Sequence, residues 1–577
     1  MATNRDVMAM LAELAKLTQL QEENPQSFKV RAYENAVHGL EGETRDISSL
    51  SVTELTKIKG VGKSTAAKIR ELIDRGSVAK LEALRTEYPP SFVELTKIPG
   101  LGPKTLKRIR SELGVENLDD LKVAIANEAL RDLPGLGATS EEKIGKAIER
   151  LGLHGKDRRT PIAEAMPVAE RLVAEIRELD GVTNAEFGGS LRRHAETIGD
   201  IDITVAATAA EPVMRFVAAH SAANEVIAAG TTKTSILTRQ GLQVDVRVVA
   251  PEEFGAATLY FTGSKAHNIA LRQRAIDRGW LLNEYGLFDA ETDDLVVRET
   301  EAEIYAALDM DVVAPPLREA TGEVEAAAER SLPKLVALAD IKGDLHYHTD
   351  RSGDGRSSLP EMVDAAAAHG YDYLAITDHG EDLAINGSSR EEMLAHRAAI
   401  DAIQADYPDM RLLFGCELNI SPAGDLDYDA AFRSAFEFTV ASVHSHFDMS
   451  SEDQTVRILT AMADPSVNAI GHLTGRYIGR RPGIELDVDA VLEGLATTGV
   501  ALEINGALDR LDAAADVLRR AVAKGVYMSI STDSHHTSEL KRMEYGVLQS
   551  QRGWVPGDLV VNTWPCDRFM EWVMARR

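Results

Sequence analysis

The feature that most constrains the fold is a repeated pattern in residues 341–577, where short apolar segments alternate with alanine-rich helical segments. His, Asp or Glu stands at the end of each apolar segment, and ten of the fifteen histidines lie after residue 340. Because the strands of a parallel βα barrel all end on one face, such residues would meet there even when they are distant in sequence. The pattern predicts a barrel with a metal centre, and its candidate residues are Asp344, His346, His348, Asp354, Asp378, His379, Glu417, His444, His472, Asp533 and His535.

Three acidic residues in the middle of the chain form a second candidate site. Asp200 and Asp202 are two residues apart on a predicted strand and so point to the same face, and Asp245 lies on another β-rich segment that could pair beside it. Three converging carboxylates need cations to offset their repulsion, and Mg²⁺ takes oxygen ligands of this kind when it also bridges substrate phosphates. The trio therefore predicts a two-metal site for phosphate chemistry.

A glycine turn just before these aspartates is predicted to bind phosphate. Gly189 and Ser190 would supply N–H and hydroxyl donors to terminal phosphates, and Arg193 would pair with their charge. The alternative for the acidic residues, a solvated strand edge, conflicts with the apolar residues Ile201, Ile203 and Val244 that flank them.

Residues 1–150 are predicted to be all-helical and contain three related glycine turns. The first has Gly60, Gly62 and Lys63, the second has Gly100, Gly102 and Lys104, and the weakest copy spans residues 133–137. Glycine lets the backbone approach a partner closely, and free N–H groups at the start of the second helix suit a DNA phosphate. One copy could be a plain turn between helices, but three copies followed by lysines resemble helix-hairpin-helix motifs, which hold the DNA backbone without reading its sequence.

Charge and composition set the remaining limits. The net charge is −28, yet residues 1–150 carry no net charge, residues 151–340 carry −12 and residues 341–577 carry −16. A nucleic-acid partner is therefore not excluded, because the basic residues of the first part cluster at 57–80 and 97–110. The two cysteines are too few for a disulfide framework or a cysteine-based zinc site, and no apolar run is long enough for a membrane span. We expect a soluble cytoplasmic protein without a membrane partner.

Residues 189–285 resemble the nucleotidyltransferase superfamily and, more narrowly, the family X DNA polymerases related to DNA polymerase beta. The narrower resemblance is carried by Tyr260-Phe261-Thr262-Gly263-Ser264 and the residues that follow it. It implies nucleotide-binding roles for Gly189, Ser190, Arg193, Gly199, Tyr260, Phe261, Gly263, Lys265 and Asn268. It also implies that Arg272 contacts the template strand. Lys265 departs from DNA polymerase beta, which has an acid there, and is similar to bacterial members.

The histidine-rich part resembles the PHP (polymerase and histidinol phosphatase) domain, a distorted (β/α)7 barrel that holds three metals. The resemblance implies one metal on His346, His348, Glu417 and Asp533, a second on Glu417, His444 and His472, and a third on Asp354, His379 and His535. Mixed imidazole and carboxylate ligands suit Zn²⁺ or Mn²⁺. Asp354 departs from the family pattern, which lacks the preceding Gly353, and His446 and His536 are neighbours that could replace assigned ligands.

The resemblance also implies a candidate lyase activity. In DNA polymerase beta the first helical domain removes a 5′-deoxyribose phosphate through a Schiff-base lysine, and that position falls on Lys68. Lys29, Tyr33 and Lys80 match the same pocket, but Phe28 and Ser64 replace its phosphate-binding His and Lys. Lys68 could equally be an ordinary lysine on a basic face.

The predicted fold class is multidomain: all-α helix-hairpin-helix domains, an α+β nucleotidyltransferase palm and thumb, and a PHP barrel. The expected boundaries are 1–88 (DNA-binding domain), 89–152 (helical fingers), 153–250 (palm), 251–316 (thumb), 317–340 (linker) and 341–577 (PHP domain).

The predicted function is that of a monomeric repair polymerase. It would fill gapped or nicked DNA with deoxynucleoside triphosphates, using Mg²⁺ or Mn²⁺ in the palm. Its PHP domain would use Zn²⁺ or Mn²⁺ for 3′–5′ exonuclease activity and, as in some relatives, cleavage at abasic sites. Arg476, Arg480 and Arg481 could hold DNA near those metals or form a solvated loop. Two alternatives stay open: a small-molecule phosphatase fused to a nucleotidyltransferase that does not act on DNA, and a DNA-binding scaffold with a structural PHP module.

Overall fold

The computed structural model describes residues 4–23, 27–41, 47–98, 101–153, 159–383 and 385–575. The chain divides into two compact units, Met1–Arg158 and Arg159–Arg577. None of the helices in the described ranges combines the length and the hydropathy needed to cross a membrane. Gly100, predicted to contact DNA, falls outside the described residues.

The first unit is helical throughout its described residues, as predicted. Its helices are α1 (Asn4–Glu22), α2 (Phe28–Glu41), α3 (Val52–Leu55), α4 (Lys63–Arg75), α5 (Ala79–Glu87), α6 (Pro90–Glu94), α7 (Pro103–Leu113), α8 (Leu118–Ala126) and α9 (Ala138–Leu153). Their apolar faces share one core, in which Leu11, Leu55, Ile69 and Leu106 are fully buried. The described glycines of these turns therefore lie between helices whose directions are fixed by packing.

The second unit begins with a mixed five-stranded sheet in the region expected to be the palm. Its elements are β1 (Thr160–Pro161), α10 (Ile162–Arg177), β2 (Val182–Phe187), α11 (Gly189–Arg192), β3 (Thr197–Ile198), β4 (Ile201–Ala207), α12 (Ala210–Ala219), β5 (Ala223–Ala229), β6 (Lys233–Thr238) and β7 (Gln243–Val249). The strand order is β2-β4-β7-β6-β5, and only β4 and β7 run parallel. The predicted pairing of the Asp245 segment beside the Asp200 segment is confirmed.

The thumb region combines helices with a three-stranded antiparallel sheet. Its elements are α13 (Phe254–Thr262), α14 (Lys265–Ile276), β8 (Trp280–Asn283), β9 (Gly286–Asp289), β10 (Leu295–Val297), α15 (Glu301–Ala307) and α16 (Glu323–Ala328). Helix α16 lies in the segment expected as a linker, but its Val324 and Ala327 belong to the thumb core. Fully buried Arg318 pairs with Glu301 at 2.6 Å, which ties the start of that segment to the thumb.

The C-terminal region is the predicted barrel. Its elements are β11 (Gly343–Asp344), α17 (Leu359–Ala368), β12 (Tyr373–Ile376), α18 (Arg390–Ile403), β13 (Arg411–Asn419), α19 (Ala430–Arg433), β14 (Phe438–Ser442), α20 (Ser451–Met462), β15 (Ala469–Ile470), α21 (Val488–Thr498), β16 (Ala501–Asn505), α22 (Ala515–Ala523), β17 (Met528–Ser531), α23 (Arg542–Arg552) and α24 (Cys566–Ala575). The seven strands are parallel and follow sequence order. Beyond β11 and β17 the N–H of His348 donates to the carbonyl of Ser534 at 2.9 Å, which nearly closes the barrel.

Alternation along the barrel strands separates two cores. On β12, Leu374 and Ile376 belong to the larger cluster, which also contains residues of the surrounding helices. Tyr373 and Ala375 belong to the smaller one with Phe569 of α24, whose ring stacks on Tyr373 at 4.4 Å. Alternate residues of the strand therefore pack on opposite faces of the sheet, and both faces are buried, as expected for a parallel sheet.

The palm and the barrel share apolar packing within the second unit. Leu511 and Tyr545, both from the barrel region, are members of the palm core. Ile478 and Leu508 pack against the same cluster. The boundary expected near residue 340 therefore crosses a continuous apolar core.

Candidate active sites

The three palm aspartates meet at one edge of the five-stranded sheet. Asp202 and Asp245 are register partners on the parallel strands β4 and β7, and Asp200 stands just before β4. Oxygen atoms of the three carboxylates lie within 4.8 Å of one another. This arrangement could hold divalent cations, which prefer carboxylate oxygen.

Electrostatics support a cation role for this cluster. Burial and the neighbouring Asp200 and Asp245 raise the pKa of Asp202 to about 7. Burial also acts to raise the pKa of Asp245, but hydrogen bonds from Lys233, Ser235 and Gln243 outweigh it and lower that pKa. The Lys233 ammonium lies 2.8 Å from Asp245 and offsets part of its negative charge, whereas no ion pair of Asp202 is found among the described residues. Bound cations would relieve this repulsion.

The predicted phosphate turn lies directly against the aspartates. The N–H of Gly188 donates to the main-chain carbonyl of Asp202 at 2.7 Å. Gly189 has φ +58°, and a Cβ added there would lie 2.8 Å from an Asp202 carboxylate oxygen. Only glycine fits so close to the carboxylate in this conformation. Arg193 follows the turn, and its guanidinium pairs with Glu319 at 3.2 Å and donates to the carbonyl of Thr262 at 2.6 Å.

The predicted nucleotide residues of the thumb gather beside this turn. The rings of Tyr260 and Phe261 are 5.1 Å apart, edge to face, and the Arg247 guanidinium lies 4.8 Å from the Phe261 ring. The Asn268 amide donates to the carbonyl of Tyr260 at 2.7 Å, and Arg272 lines the same small crevice. The remaining predicted positions differ in setting: Gly263 is buried at φ +66°, whereas Lys265 and Gly199 are exposed.

The helix-hairpin-helix turns have the expected geometry where they are described. Gly62 and Gly102 are the N-cap residues of α4 and α7, and neither helix start has a side-chain cap. Lys63 and Lys104 are exposed within the first turns that follow. Gly60 has φ +90°, and a Cβ there would lie 2.2 Å from the carbonyl of Asn35. Exposed N–H groups beside lysines suit a phosphate.

Lys68 lies one helical turn beyond Lys63 on α4 and is half-buried. Its ammonium donates to the Ser64 hydroxyl at 2.9 Å and lies 5.7 Å from the Tyr33 ring. Burial lowers its pKa, although the nearby Glu71 opposes the shift. Lys29 is instead ion-paired with Glu22 at 2.6 Å.

All nine predicted ligands of the barrel converge at the carboxyl ends of its strands. Glu417 is the centre of the cluster: its carboxylate lies 2.8 Å from His379, 3.0 Å from His472 and 3.1 Å from His444. His346 is 3.3 Å from the same carboxylate. Each of these residues is mostly buried, so the histidines surround a carboxylate that is shielded from water.

The other ligands complete two flanks of this cluster. His348 lies 3.4 Å from Asp533, and Asp354 lies 3.6 Å from His379 and 3.5 Å from His535. The Asp354 position, which departs from the family pattern, is therefore in contact with both of its predicted partners. His446 is exposed and His536 is half-buried, and none of the candidate metal groups found among the described residues includes them.

Buried ring atoms without partners show that the cluster fits metal ions. Among the described residues, no hydrogen-bond partner is present for His346 Nε2, His348 Nε2, His379 Nδ1, Glu417 Oε2, His444 Nδ1 and His472 Nδ1. Buried polar atoms are normally satisfied. Of these atoms, His346 Nε2, His348 Nε2 and His379 Nδ1 face carboxylate oxygens of Glu417 or Asp533. Imidazole nitrogens that face carboxylate oxygens in this way are a donor set for Zn²⁺ or Mn²⁺.

Glu503 is a residue of this site that the sequence pattern did not single out. Its carboxylate accepts from Nδ1 of His346 at 2.6 Å, which leaves Nε2 directed at Glu417 and Asp533. Asn505, two residues later on β16, donates to Asp533 at 3.1 Å. The sequence signal that could have identified Glu503 is the one used elsewhere in the barrel: Glu503 and Asn505 are polar residues in an apolar strand.

Glu503→Gln is expected to lower the affinity of the barrel for metal by about 10- to 100-fold, because it weakens the partner that orients His346. Metal titration of the full chain, followed by elemental analysis, measures the change. Glu493→Gln removes an exposed carboxylate on α21 and serves as the matched control. Equal metal affinity in Glu503→Gln and wild type would contradict the orienting role.

One wall of the barrel cavity combines arginines and aromatic rings. The cavity has a volume of about 350 Å³ and is lined by seven of the nine ligands, all except His346 and His348, together with Phe447, Tyr477, Arg481 and Arg510. Arg481 lies 3.9 Å from the Phe447 ring and 4.8 Å from the Tyr477 ring, and Arg510 lies 4.2 Å from Tyr477. Such a wall suits the stacked bases and the phosphate of a nucleic acid. Arg510 was not predicted from the sequence.

The three arginines predicted beside the barrel metals differ in setting. Arg476 is paired with Glu196 of the palm at 2.8 Å and is largely buried, so it is engaged within the molecule and is not part of a solvated loop. Arg481 lies in the cavity wall, and Arg480 is exposed.

Comparison with known proteins matches four stretches of the chain to protein families. They are a helix-hairpin-helix domain (residues 2–78), a SAM-like helix-hairpin-helix tandem (92–150), the DNA polymerase beta thumb (257–319) and the PHP domain (344–533). Together with the mixed sheet of the palm, these matches define a modular DNA polymerase architecture joined to a PHP barrel.

Similar proteins specify the family. The chain is 36% identical to the "DNA polymerase/3'-5' exonuclease PolX" of Bacillus subtilis (strain 168) over 562 residues, which cover 97% of each chain. It is also 28% identical to a "Probable phosphatase" of Acetivibrio thermocellus and 27% identical to one of Clostridium acetobutylicum. These two matches cover 41% and 38% of this chain, and 95% and 89% of the phosphatases. The chain belongs to the family X DNA polymerases that carry a C-terminal PHP domain.

Proposed function

We propose that this protein is a DNA-directed DNA polymerase that fills short gaps and trims 3′ ends with a metal-dependent nuclease in its PHP barrel. The observation that carries the proposal is the presence of two complete but distinct clusters in one compact unit: the palm aspartates beneath a phosphate turn, and the histidine-rich cluster around Glu417. The B. subtilis relative, similar over nearly its whole length, is named for the same two activities.

In the palm, the chain's own residues would position the nucleotide. Gly189, Ser190 and Arg193 would bind its phosphates, Tyr260 and Phe261 would border the sugar, and Asp200, Asp202 and Asp245 would hold Mg²⁺ or Mn²⁺. Divalent ions held there supply activation of the attacking hydroxyl and stabilisation of the leaving pyrophosphate. The two aromatic rings would crowd the 2′ position and so favour deoxyribonucleotides.

In the barrel, Glu417 and the surrounding histidines would hold Zn²⁺ or Mn²⁺, which supplies a hydroxide nucleophile at neutral pH. Tyr477, Arg481 and Arg510 would hold the terminal nucleotide and its phosphate. The same cavity could cleave at abasic sites, as proposed for the family.

A small-molecule phosphatase is the alternative function, because the two probable phosphatases are similar to part of this chain. Those matches span about two fifths of the chain. This chain also matches helix-hairpin-helix domains and a polymerase thumb, for which an enzyme for small phosphate esters has no use. The DNA substrate is therefore favoured.

The deciding experiment is primer extension and 3′ degradation on one gapped duplex with Mn²⁺, with and without deoxynucleoside triphosphates. Extension with nucleotides and degradation without them are expected from the wild-type chain. If it does neither, the DNA function fails and the phosphatase takes its place. Metal binding without hydrolysis or extension would favour the scaffold alternative.

A further candidate activity is the removal of a 5′-deoxyribose phosphate by Lys68. The half-buried ammonium, the lowered pKa and the neighbouring Tyr33 suit an amine that must lose its proton to attack an aldehyde. Phe28 is exposed where the family has a phosphate-binding histidine, so part of the pocket is lacking.

Lys68→Ala is expected to abolish the adduct that borohydride traps between the chain and a 5′-deoxyribose phosphate end, since no Schiff base can form. Lys122→Ala, which removes an exposed lysine on α8, is the matched control and should leave trapping unchanged. Trapping that survives Lys68→Ala would rule out this lysine as the nucleophile.

A further inference from the structure

The phosphate turn of the palm is held by residues of the PHP barrel. Arg552, the last residue of α23, donates from one guanidinium nitrogen, Nη1, to the main-chain carbonyl of Arg193 at 2.8 Å. The same nitrogen lies 2.8 Å from the Glu319 carboxylate. Glu319 in turn pairs with the Arg193 guanidinium at 3.2 Å. Arg552 therefore restrains both the backbone and, through Glu319, the side chain of the residue predicted to bind the triphosphate.

The residue after Arg193 is held by the same helix. His194 is fully buried at φ +56°, an unusual backbone conformation for a residue other than glycine. Its ring stacks on Tyr545 of α23 with centroids 6.1 Å apart and planes 19° apart. The Tyr545 hydroxyl donates to Glu170 of the palm helix α10. Packing against the barrel thus supports the conformation in which the turn leaves Arg193.

A third contact holds the middle of the same loop. Arg476 pairs with Glu196 at 2.8 Å, four residues before Asp200. Its Nε donates to the carbonyl of Arg510, whose side chain lines the barrel cavity. The loop between the phosphate turn and the first aspartate is consequently attached to the barrel at Arg193, His194 and Glu196.

These contacts connect the barrel to the loop that carries the phosphate turn of the palm. We infer that Arg552 of the PHP barrel is a positioning residue for nucleotide addition: it holds Arg193 and the phosphate turn in the geometry that binds the incoming triphosphate. The inference rests on the proposed polymerase function of the palm. Arg552 is not among the residues that line the barrel cavity, so its role is separable from hydrolysis.

Arg552→Ala in the full chain tests the inference on one gapped duplex. The KM for the deoxynucleoside triphosphate is expected to rise about tenfold, corresponding to about 1.4 kcal/mol. The kcat is expected to stay within about twofold, because the aspartates keep their places, and 3′ hydrolysis should be unchanged. Arg520→Ala, which removes an exposed ion pair with Asp489 elsewhere in the barrel, is the matched control and should change neither activity.

A conservative variant separates positioning from general support. Arg552 makes both hydrogen bonds with one nitrogen, Nη1, so a lysine ammonium could also make both. Arg552→Lys should therefore have a KM within about threefold of wild type. If Arg552→Ala does not fold, Glu319→Gln weakens the same link from the thumb side and should also raise the KM. A wild-type KM in Arg552→Ala, or in Glu319→Gln when the first variant does not fold, overturns the inference. Parallel loss of extension and hydrolysis in Arg552→Ala also overturns it.

The same assay distinguishes this inference from the proposed function. If the wild-type chain adds no nucleotide, the polymerase function fails and the inference fails with it. If the wild-type chain extends primers and Arg552→Ala does so with the same KM, the polymerase function stands and only the inference fails.

Discussion

Asp200→Ala/Asp202→Ala is expected to reduce nucleotide addition by at least about 10³-fold, since loss of the metal-binding carboxylates removes several kcal/mol of transition-state stabilisation. The two residues provide two of the three carboxylates that meet at the edge of the palm sheet. Asp245, the one carboxylate that the variant retains, is ion-paired with Lys233. Single-turnover extension of a gapped primer with Mg²⁺ and with Mn²⁺ measures the loss. Hydrolysis of the 3′ end without nucleotides should remain, because the ligands of the barrel are unchanged.

The control for this variant is Glu211→Ala, which removes an exposed carboxylate of α12 in the same domain. It should extend primers at the wild-type rate. Extension by Asp200→Ala/Asp202→Ala within tenfold of wild type would show that the palm cluster is not the polymerase site. Loss of both activities in the double variant would instead show that the palm cluster also supports hydrolysis.

His346→Ala/His348→Ala is expected to have the opposite effect and to reduce 3′ hydrolysis by at least about 10³-fold. Both rings are fully buried beside Glu417 and Asp533, and both have a ring nitrogen without a hydrogen-bond partner among the described residues. The bound metal, measured by elemental analysis, should fall together with the hydrolysis rate. Primer extension should be retained.

His446→Ala/His536→Ala is the matched control for this prediction, because it removes two histidines of the same barrel that belong to none of the candidate metal groups among the described residues. The sequence alone left these two residues as alternative ligands, and the structure keeps both at the surface. Hydrolysis that survives in His346→Ala/His348→Ala but is lost in His446→Ala/His536→Ala would reverse the ligand assignment.

The strand-end pattern predicted the barrel because it combines two periodic signals, short apolar strands and polar residues at their ends. Each predicted strand is present, and the nine ligands lie together even though their segments are far apart in the chain. In the palm, the two-residue spacing of Asp200 and Asp202 placed them on one face, and the parallel register of β4 with β7 brought Asp245 beside them.

What the sequence did not predict depends on tertiary contacts. Glu503 acts through His346, and no spacing rule links two residues 157 positions apart. Arg476 looked like a DNA contact because it follows His472, but its partner is Glu196 on a different domain. The role of Arg552 was equally hidden, because a charged residue at the end of a helix is usually exposed, whereas here its side chain is largely buried.

The continuous core of the second unit also bears on how such a chain can change during evolution. Removal of the barrel would uncover Glu170, Glu196 and Glu319, each of which is bonded to a barrel residue, and would leave buried His194 at a new surface. Replacement of a single metal ligand would silence hydrolysis and leave that surface covered. Lineages that dispense with the nuclease should therefore more readily retain an inactive barrel than delete it, so a degenerate histidine cluster on an intact fold is the expected relic.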